Sequence, residues 1–117
     1  MTDAVLVRNT RDPLAGLTPQ KFERRLVNAL KGRVDEVWLF GSYARGELGP
    51  DSDVDVILVT PTKEWFTNRS WQFADLLDIG PRLDLLVYTP EEFRRLVENP
   101  TAGFWRSVVE SMRRLSL

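Results

Sequence analysis

The chain has 117 residues, of which 43% are hydrophobic and 28% charged, and its formal net charge is −1. The absence of histidine and cysteine excludes a Ser-His-Asp mechanism, histidine or thiolate metal sites and disulfides. The near-neutral charge offers no electrostatic basis for binding long nucleic acid, and no apolar run approaches the roughly 20 residues of a membrane span. We expect one cytoplasmic domain over residues 1–117 whose chemistry uses carboxylates, hydroxyls, backbone amides, Lys or Arg, a set that favours magnesium.

The N-terminal part of the chain predicts one helix. Residues 1–16 before it are expected to be either an extra edge strand or a loose arm. Thr18 is a good N-cap, Pro19 suits the first helical position, and Gly32 ends the helix. The apolar residues of its inner face recur at helical spacing: Phe22, Leu26, Ala29 and Leu30.

A strand that breaks into a glycine turn forms the first half of the central motif. Residues 37–40 predict the strand, and Gly41 and Ser42 predict a tight turn followed by a short helical piece. Glycine lets the backbone approach a ligand closely, and the N–H groups of such a turn point at whatever lies in front of it. Residues 47–52 then predict a loop. The pattern is typical of a turn that cradles phosphate.

Acidic residues on two further strands form the second half of the motif. Ten residues separate Ser42 from Asp53, and Asp55 follows inside a predicted strand over residues 54–59. Strand side chains alternate faces, so Asp53 and Asp55 share one face about 7 Å apart. Asp84 heads another apolar run, residues 85–88. One phosphate-binding turn and three acids on strands indicate metal-assisted phosphoryl or nucleotidyl transfer.

The segment between the acidic strands predicts a helix. Thr62 is expected to cap a helix from Lys63 to about Leu77, and residues 78–81 then turn the chain into the Asp84 strand. The inner face of this helix is predicted to carry Phe66, Phe73, Ala74 and Leu77.

The C-terminal part predicts two helices. Residues 89–92 form a capping box with proline at the first helical position, and Asn99-Pro100 breaks the short helix that follows. A last helix is expected from about Ala102, with apolar residues at steps of three and four: Phe104, Trp105, Val108, Val109, Met112 and Leu115. The order of elements predicts an α/β fold, a small mixed sheet covered by helices.

The four tryptophans fall into two pairs. Trp38 lies in a core strand and Trp105 on an amphipathic stripe, so both are expected to pack inside. Trp65 and Trp71 flank the inner face of their helix and are expected to be partly exposed. Exposed aromatic residues would mark either a partner surface or a shelf for a nucleobase.

The complete motif resembles that of a known family. Gly41-Ser42-x-Ala44-Arg45-Gly46, then Ser52-Asp53-x-Asp55, then Asp84 is similar to the pattern of minimal nucleotidyltransferases in the DNA polymerase β superfamily. The motif covers residues 38–59, and the resemblance extends loosely to Tyr88 and the helix after it. All three acids of the pattern are present, so the resemblance implies an active enzyme with the polymerase β-like nucleotidyltransferase fold.

The resemblance implies two Mg²⁺ ions. Asp53 and Asp55 would ligate the ion that carries the triphosphate, and Asp84 would complete the site of the second ion beside the acceptor hydroxyl, which it could also help to deprotonate. Without Mg²⁺ the three acids repel one another, so we expect the pKa of at least one of them to rise.

The resemblance also implies ATP as the substrate. Gly41 and Ser42 would contact its β- and γ-phosphates through backbone N–H groups and the serine hydroxyl. Arg45 is either a further phosphate contact or a surface residue of the first helical turn, and the sequence leaves both interpretations open.

A partner protein is expected, because only about 25 residues follow the capping box and larger nucleotidyltransferases use an additional domain to recognise the acceptor. Minimal nucleotidyltransferases are typically encoded beside helical HEPN proteins in toxin–antitoxin pairs. The resemblance therefore implies an antitoxin that transfers AMP from ATP to a tyrosine of a HEPN toxin.

Two other functions fit the same residues. One is nucleotidyl transfer to a small hydroxyl compound, as in aminoglycoside nucleotidyltransferases, with a second subunit completing the acceptor pocket. The other is a non-catalytic antitoxin that neutralises its partner by binding alone. The intact Asp53, Asp55 and Asp84 argue against the second.

Overall fold

The computed structural model describes residues 12–100 and 103–117. In that part of the chain four strands form one sheet: β1 (Glu36–Phe40), β2 (Val54–Val59), β3 (Leu83–Tyr88) and β4 (Arg113–Leu115). The strand order is β3-β2-β1-β4; β1 runs antiparallel to β2 and to β4, whereas β2 and β3 are parallel. The helices are α1 (Pro19–Leu30), α2 (Gly41–Ala44), a 3₁₀ segment (Phe66–Ile79), α3 (Pro90–Glu98) and α4 (Gly103–Ser111). The predicted fold class is confirmed.

The two faces of the sheet pack against different helices. One face meets α1 and the 3₁₀ segment around Phe22, Leu26 and Leu30, which are fully buried. The other face meets α3 and α4 in a second core cluster: Phe40, Ile57, Val59, Phe93, Trp105 and Val108. Because β2 alternates, Asp55 lies on the same face as Ile57 and Val59. The acid therefore points to the side of the sheet that carries α4.

Local sequence signals placed the first helix and the capping box correctly. Thr18 Oγ1 accepts a hydrogen bond of 3.1 Å from the Lys21 N–H at the start of α1. At α3 both bonds of the capping box form: the Glu92 N–H donates to Thr89 Oγ1 (3.2 Å), and the Thr89 N–H donates to Glu92 Oε1 (2.9 Å). Each bond satisfies a backbone donor that a helix leaves without an internal partner.

The helix predicted from Lys63 to about Leu77 is wrong in type and start, and of the four residues expected on its inner face only Phe73 is buried. The segment is 3₁₀, begins at Phe66 and is kinked at Phe73. Thr62 Oγ1 accepts from the Glu64 N–H and so stabilises a turn before the helix. With about three residues per turn, the buried positions follow steps close to three, and Leu76 is buried in place of the exposed Leu77. Two further residues expected inside are exposed as well: Phe66 and Ala74.

The last predicted helix is too long at its C-terminal end. α4 ends at Ser111, and β4 follows as a short edge strand in which Leu115 is buried and Arg113 is exposed. Leu115 lies opposite Val37 in β1. A buried Leu115 is expected in a helix, where it lies three residues after Met112, and also in a strand, where it shares a face with the residue two positions before it. The spacing of apolar residues alone therefore could not distinguish a helix from a strand here.

Two other expectations fall partly outside the described residues. The arm or edge strand predicted over residues 1–16 lies mostly there, as does the helix start at Ala102. Of the part that is described, residues 13–16 form turns. None of the helices within residues 12–100 and 103–117 is long and apolar enough to cross a membrane.

Candidate active site

Two of the three predicted acids lie side by side on neighbouring parallel strands. Asp55 in β2 is the register partner of Asp84 in β3, which places their Cα atoms about 4.8 Å apart. Asp55 is half-buried and Asp84 is exposed. Asp53 directly precedes β2 and is exposed. Because β2 and β3 run parallel and in this register, the three acids lie at the end where both strands begin.

The electrostatics of the acids agree with this placement. Burial raises the pKa of Asp55, and the negative charges of Asp84 and then Asp53 raise it further. The positive charge of Arg45 acts in the opposite direction. The expectation that one acid would have a raised pKa in the metal-free protein is confirmed, with burial as the largest cause.

The glycine turn closes directly over Asp55. Phe40 is the register partner of Asp55, so the turn that follows β1 reaches the level of the acid. Gly41 has a φ of +70°, and a Cβ built on it would overlap Asp55 Oδ2 and lie 3.3 Å from Asp55 Cγ. Both the backbone conformation and the close approach require glycine at this position.

A serine from the last helix joins this turn. The Gly41 N–H donates to Ser111 Oγ (3.0 Å), and the Ser111 hydroxyl donates to the Val108 carbonyl oxygen (3.2 Å). The bond to Gly41 spans 70 positions of sequence. Sequence reasoning missed Ser111, because nothing in a single serine on an amphipathic helix marks its distant partner.

A cleft of about 240 Å³ separates the turn from α4. It is lined by Phe40, Gly41, Ser42, Arg45, Asp55, Phe104, Ser107, Val108 and Ser111. Four of the six predicted site residues thus share one cleft. Asp53 and Asp84 are not among its lining residues, although the negative charge of each raises the pKa of Asp55. Arg45 lines the cleft while its Nε donates to Glu47 Oε1 (3.0 Å), so the structure leaves both interpretations of Arg45 open.

Asp53 forms an ion pair with an arginine that sequence reasoning missed. Asp53 Oδ1 lies 3.2 Å from Arg82 Nε, and Arg82 also donates to the Asp51 carbonyl oxygen (2.6 Å). Over residues 12–100 and 103–117, no group of three or more potential ligands is arranged to hold a metal ion. The donor set nevertheless fits a hard cation, because Asp55 and Asp84 lie on adjacent strands and supply carboxylate oxygens. Asp53 could add a third carboxylate, since an exposed ion pair such as that with Arg82 contributes little free energy and is easily broken.

A hydrogen-bonded network supports the far side of the turn. The Tyr43 hydroxyl donates to Glu23 Oε2 (2.7 Å), and the guanidinium of Arg113 donates to both carboxylate oxygens of Glu23 (3.1 and 2.7 Å). Burial acts to raise the pKa of Glu23, but the bonds from Arg113 and Tyr43 outweigh it and lower that pKa. Burial and the bond to Glu23 raise the pKa of Tyr43, which keeps its hydroxyl protonated. The network ties α2 to α1 and β4.

The exposed tryptophans lie away from the cleft. Trp65 and Trp71 are 80% and 76% exposed, as expected. Trp71 borders an apolar groove of about 200 Å³ whose other lining residues include Phe73, Leu77 and Leu85. Neither tryptophan lines the cleft at Gly41, so their arrangement favours a partner surface over a nucleobase shelf. A larger cleft of about 700 Å³, between residues 61–64 and 89–91, contains none of the predicted site residues.

A mixed sheet that joins a Gly-Ser turn to acids on adjacent strands defines a class of enzymes that transfer nucleotidyl groups. The sequence profile of the family described as "Nucleotidyltransferase domain" matches residues 20–115. The chain belongs to this family, and the predicted enzyme class is confirmed.

Two similar proteins come from Methanocaldococcus jannaschii, and both are provisionally named protein adenylyltransferases. The chain is 43% identical to MJ0604 over 102 residues, which cover 83% of this chain and 97% of the relative. It is 45% identical to MJ0141 over 82 residues, which cover 68% of this chain and 79% of the relative.

Solved structures share the fold. A toxin–antitoxin structure with AMP-PNP matches with a TM-score of 0.50 and 20% identity, covering 80% of this chain and 72% of that chain. A mutant of the toxin–antitoxin MntA-HpeT matches with a TM-score of 0.51 and 22% identity, covering 80% and 71%. The predicted resemblance to nucleotidyltransferases is confirmed, and the chain shares its fold with these proteins of toxin–antitoxin complexes.

Proposed function

We propose that the chain is a Mg²⁺-dependent protein adenylyltransferase, which transfers AMP from ATP to a tyrosine of a helical HEPN partner and so acts as its antitoxin. One observation carries the proposal: Asp55 pairs in register with Asp84 on one side and Phe40 on the other. Two acids and the Gly41 turn therefore meet at one end of the central strands. The two relatives provisionally named protein adenylyltransferases support a protein acceptor.

In this proposal the turn holds the phosphates of ATP. Ser42 lines the cleft, and its N–H and hydroxyl are groups suited to phosphate oxygens. The Gly41 N–H would contact phosphate by exchanging its present acceptor, Ser111 Oγ. The positive charge of the Arg45 guanidinium acts to lower the pKa of Asp55. The same charge would neutralise part of the triphosphate charge.

Asp53, Asp55 and Asp84 would hold the magnesium. Bound there, Mg²⁺ would neutralise phosphate charge and lower the pKa of the acceptor hydroxyl. Asp55 is the central residue of the set, because the negative charges of Asp84 and Asp53 both raise its pKa. Asp53 would join it by leaving its exposed ion pair with Arg82.

The transfer itself replaces a phosphoanhydride bond of ATP by a phosphate ester bond to the acceptor. The acceptor oxygen forms a bond to the α-phosphorus, the bond from that phosphorus to the oxygen bridging to the β-phosphorus breaks, and pyrophosphate leaves. The hydroxyl proton needs an acceptor. We assign it to Asp84, because this carboxylate is exposed and sits next to Asp55, where an incoming side chain can reach it.

The exposed apolar surface supports a protein partner. Trp65, Trp71 and Leu77 are all more than two-thirds exposed, and Trp71 and Leu77 border the same groove. Aromatic residues are enriched in the centres of protein interfaces. We place the reaction in the cytoplasm, where ATP is available, and infer the HEPN class of the partner from the family resemblance.

Mass spectrometry tests the proposal. The protein is incubated with ATP, Mg²⁺ and the product of the neighbouring gene, which the proposal takes to be the HEPN partner, and the mass of that product is measured. We expect one or more AMP units on a tyrosine of the partner. The same incubation with D53N/D55N protein should give none, and EDTA should also abolish the gain.

A non-catalytic antitoxin is the second candidate, because the exposed Trp65 and Trp71 favour binding whether or not catalysis occurs. Titration of the toxin with D53N/D55N protein separates the two. Neutralisation that persists at a one-to-one ratio supports binding alone. Neutralisation that is lost, while the two proteins still co-purify, supports catalysis.

A further inference from the structure

The wall of the cleft opposite the turn carries side chains to which the proposed function assigns no contact with substrate. It is formed by α4, which contributes Phe104, Ser107 and Ser111 to the lining. These residues are three and four positions apart, so they project from one side of the helix. The wall carries one aromatic ring and two hydroxyls, whereas the opposite wall carries the phosphate-binding turn, Arg45 and Asp55.

Phe104 is exposed but fixed in place. The residue is 55% exposed, although it is a large apolar side chain that lines a cleft. Its ring is nearly perpendicular to those of Phe40 (centroids 6.2 Å apart, 88° between planes) and Trp105 (6.1 Å, 85°). Edge-to-face contacts are favourable ring arrangements, and they hold the phenyl group while more than half of the residue stays exposed.

The helix that carries Phe104 is anchored at its other positions. Trp105 and Val108 are buried in the core beneath α4. The bond from the Gly41 N–H to Ser111 Oγ joins the end of α4 to the turn. Phe104 is therefore set at a fixed place relative to the groups proposed to bind phosphate.

The size of the cleft indicates that it takes part of a nucleotide. Its volume is about 240 Å³, below the roughly 300–1,000 Å³ of pockets that enclose a whole drug-sized ligand. A triphosphate on the turn therefore leaves the nucleoside near the rim. Among the lining residues, Phe104 is the one large apolar side chain that is exposed.

We propose that Phe104 forms the nucleobase subsite of this enzyme, with the planar heterocycle of a nucleoside triphosphate stacked on its ring and the Ser107 hydroxyl beside it as a polar contact. This inference rests on the proposed function, because it takes the phosphates to lie at the Gly41 turn. Stacking on one ring tolerates any base, so the subsite would supply affinity and leave the choice of base to the few polar groups at its edge.

Calorimetric titration with two ligands tests the subsite. ATP and inorganic tripolyphosphate, both with Mg²⁺, are titrated into the wild type, F104A, F104W and the control W65A, which removes an exposed aromatic residue outside the cleft. We expect F104A to weaken ATP binding by about tenfold and to leave tripolyphosphate within about twofold. F104W should bind ATP as well as the wild type does, and W65A should change neither ligand.

Other results would overturn the subsite in distinguishable ways. If F104A binds ATP as the wild type does, the base lies elsewhere, although the proposed function stands. If F104A weakens both ligands equally, Phe104 maintains the shape of the cleft and does not read a base. If the wild type binds neither ligand, the proposed function fails together with the subsite.

Discussion

The two walls of the cleft differ in how the chain builds them. The wall of β1, α2 and β2 is made by residues close in sequence, and its turn sits over Asp55 with no room for a side chain at Gly41. The α4 wall comes from the other end of the chain and is joined to the turn by one hydrogen bond and aromatic contacts.

This difference separates two demands on a nucleotidyltransferase. Chemistry at phosphorus needs groups held within a fraction of an ångström, which the backbone register of β1 and β2 can supply. Holding a nucleoside tolerates a looser surface, which side-chain packing can supply. We therefore expect substitutions on the wall of β1, α2 and β2 to lower turnover greatly. Substitutions on the α4 wall should affect mainly nucleotide affinity.

Asp55→Asn should have the largest effect. It removes the central acid of the proposed metal site, and we expect AMP transfer to fall about a thousandfold, since a bound metal contributes several kcal/mol to such transition states. Because burial and neighbouring acids raise the pKa of Asp55, its charge is unfavourable in the folded protein. The thermal midpoint in EDTA should therefore rise.

The matched control is Asp78→Asn, which changes an exposed acid outside the cleft. It should alter neither turnover nor the midpoint. Retained turnover in the Asp55 variant would remove that residue from the proposed mechanism.

Gly41→Ala should lower kcat/KM about a hundredfold, because a displacement of about 1 Å at reacting groups costs that much. The added methyl group would overlap the Asp55 carboxylate, so the turn and the acid must move apart. The measurement is the initial rate of AMP transfer together with thermal unfolding.

Gly46→Ala is the control for backbone strain. Gly46 has a φ of +74°, similar to that of Gly41, but a methyl group there meets open space. It should cost about 1 kcal/mol of stability and keep most of the activity. An equal loss of activity in both variants would show that strain, and not the overlap with Asp55, explains the first result.

The same contrast between walls explains what the sequence could predict. The strand and the turn of the wall made by β1, α2 and β2 were predicted correctly, and so was the position of Asp55 in β2, because Gly41 and Asp55 carry local signals: a turn residue after an apolar run, and alternation along a strand. Asp84 was placed correctly on its strand for the same reason. Caps such as Thr18 were predictable because their partners lie within one turn.

The features that sequence missed depend on distant partners. Ser111 and Arg82 gain their roles from contacts 70 and 31 positions away, with the Gly41 N–H and the Asp51 carbonyl. β4 is a strand because β1 offers it a free edge, and residues 113–115 alone are too short to show a period. The 3₁₀ geometry of the Phe66–Ile79 segment is likewise settled by packing, since three- and four-residue spacings overlap over a few turns.

Ser111→Ala tests the contact between the two walls of the cleft. It removes the acceptor of the Gly41 N–H, and a hydrogen bond of this kind contributes about 0.5–1.5 kcal/mol. Because the Gly41 N–H would no longer give up this bond when phosphate binds, we expect KM for ATP to fall about threefold to tenfold while kcat changes less than about twofold. Steady-state kinetics measure both, with the exposed Ser116→Ala as the control. A loss confined to kcat would place Ser111 with the catalytic wall.

Glu92→Gln should leave activity unchanged and alter only stability, because its ion pair with the buried Arg69 lies on α3, away from the cleft. Hydrogen bonds from Arg69 lower the pKa of Glu92 to about 2, against 4.5 in a free side chain. A lowered pKa stabilises the fold fully above 4.5, and this contribution is lost as the pH falls towards 2.

The variant should therefore unfold more easily than the wild type at pH 7, and the difference should shrink by about pH 3. Because the Glu92 side chain is 34% exposed, we expect about 1–2 kcal/mol at pH 7, less than the pKa shift alone would give. Thermal unfolding across this pH range measures it, with the exposed Glu91→Gln on the same helix turn as the control. A constant difference at all pH values would mean that the substitution disturbed packing or geometry and that the lost charge was not the cause. A fall in AMP transfer would mean that α3 acts on the cleft through α4.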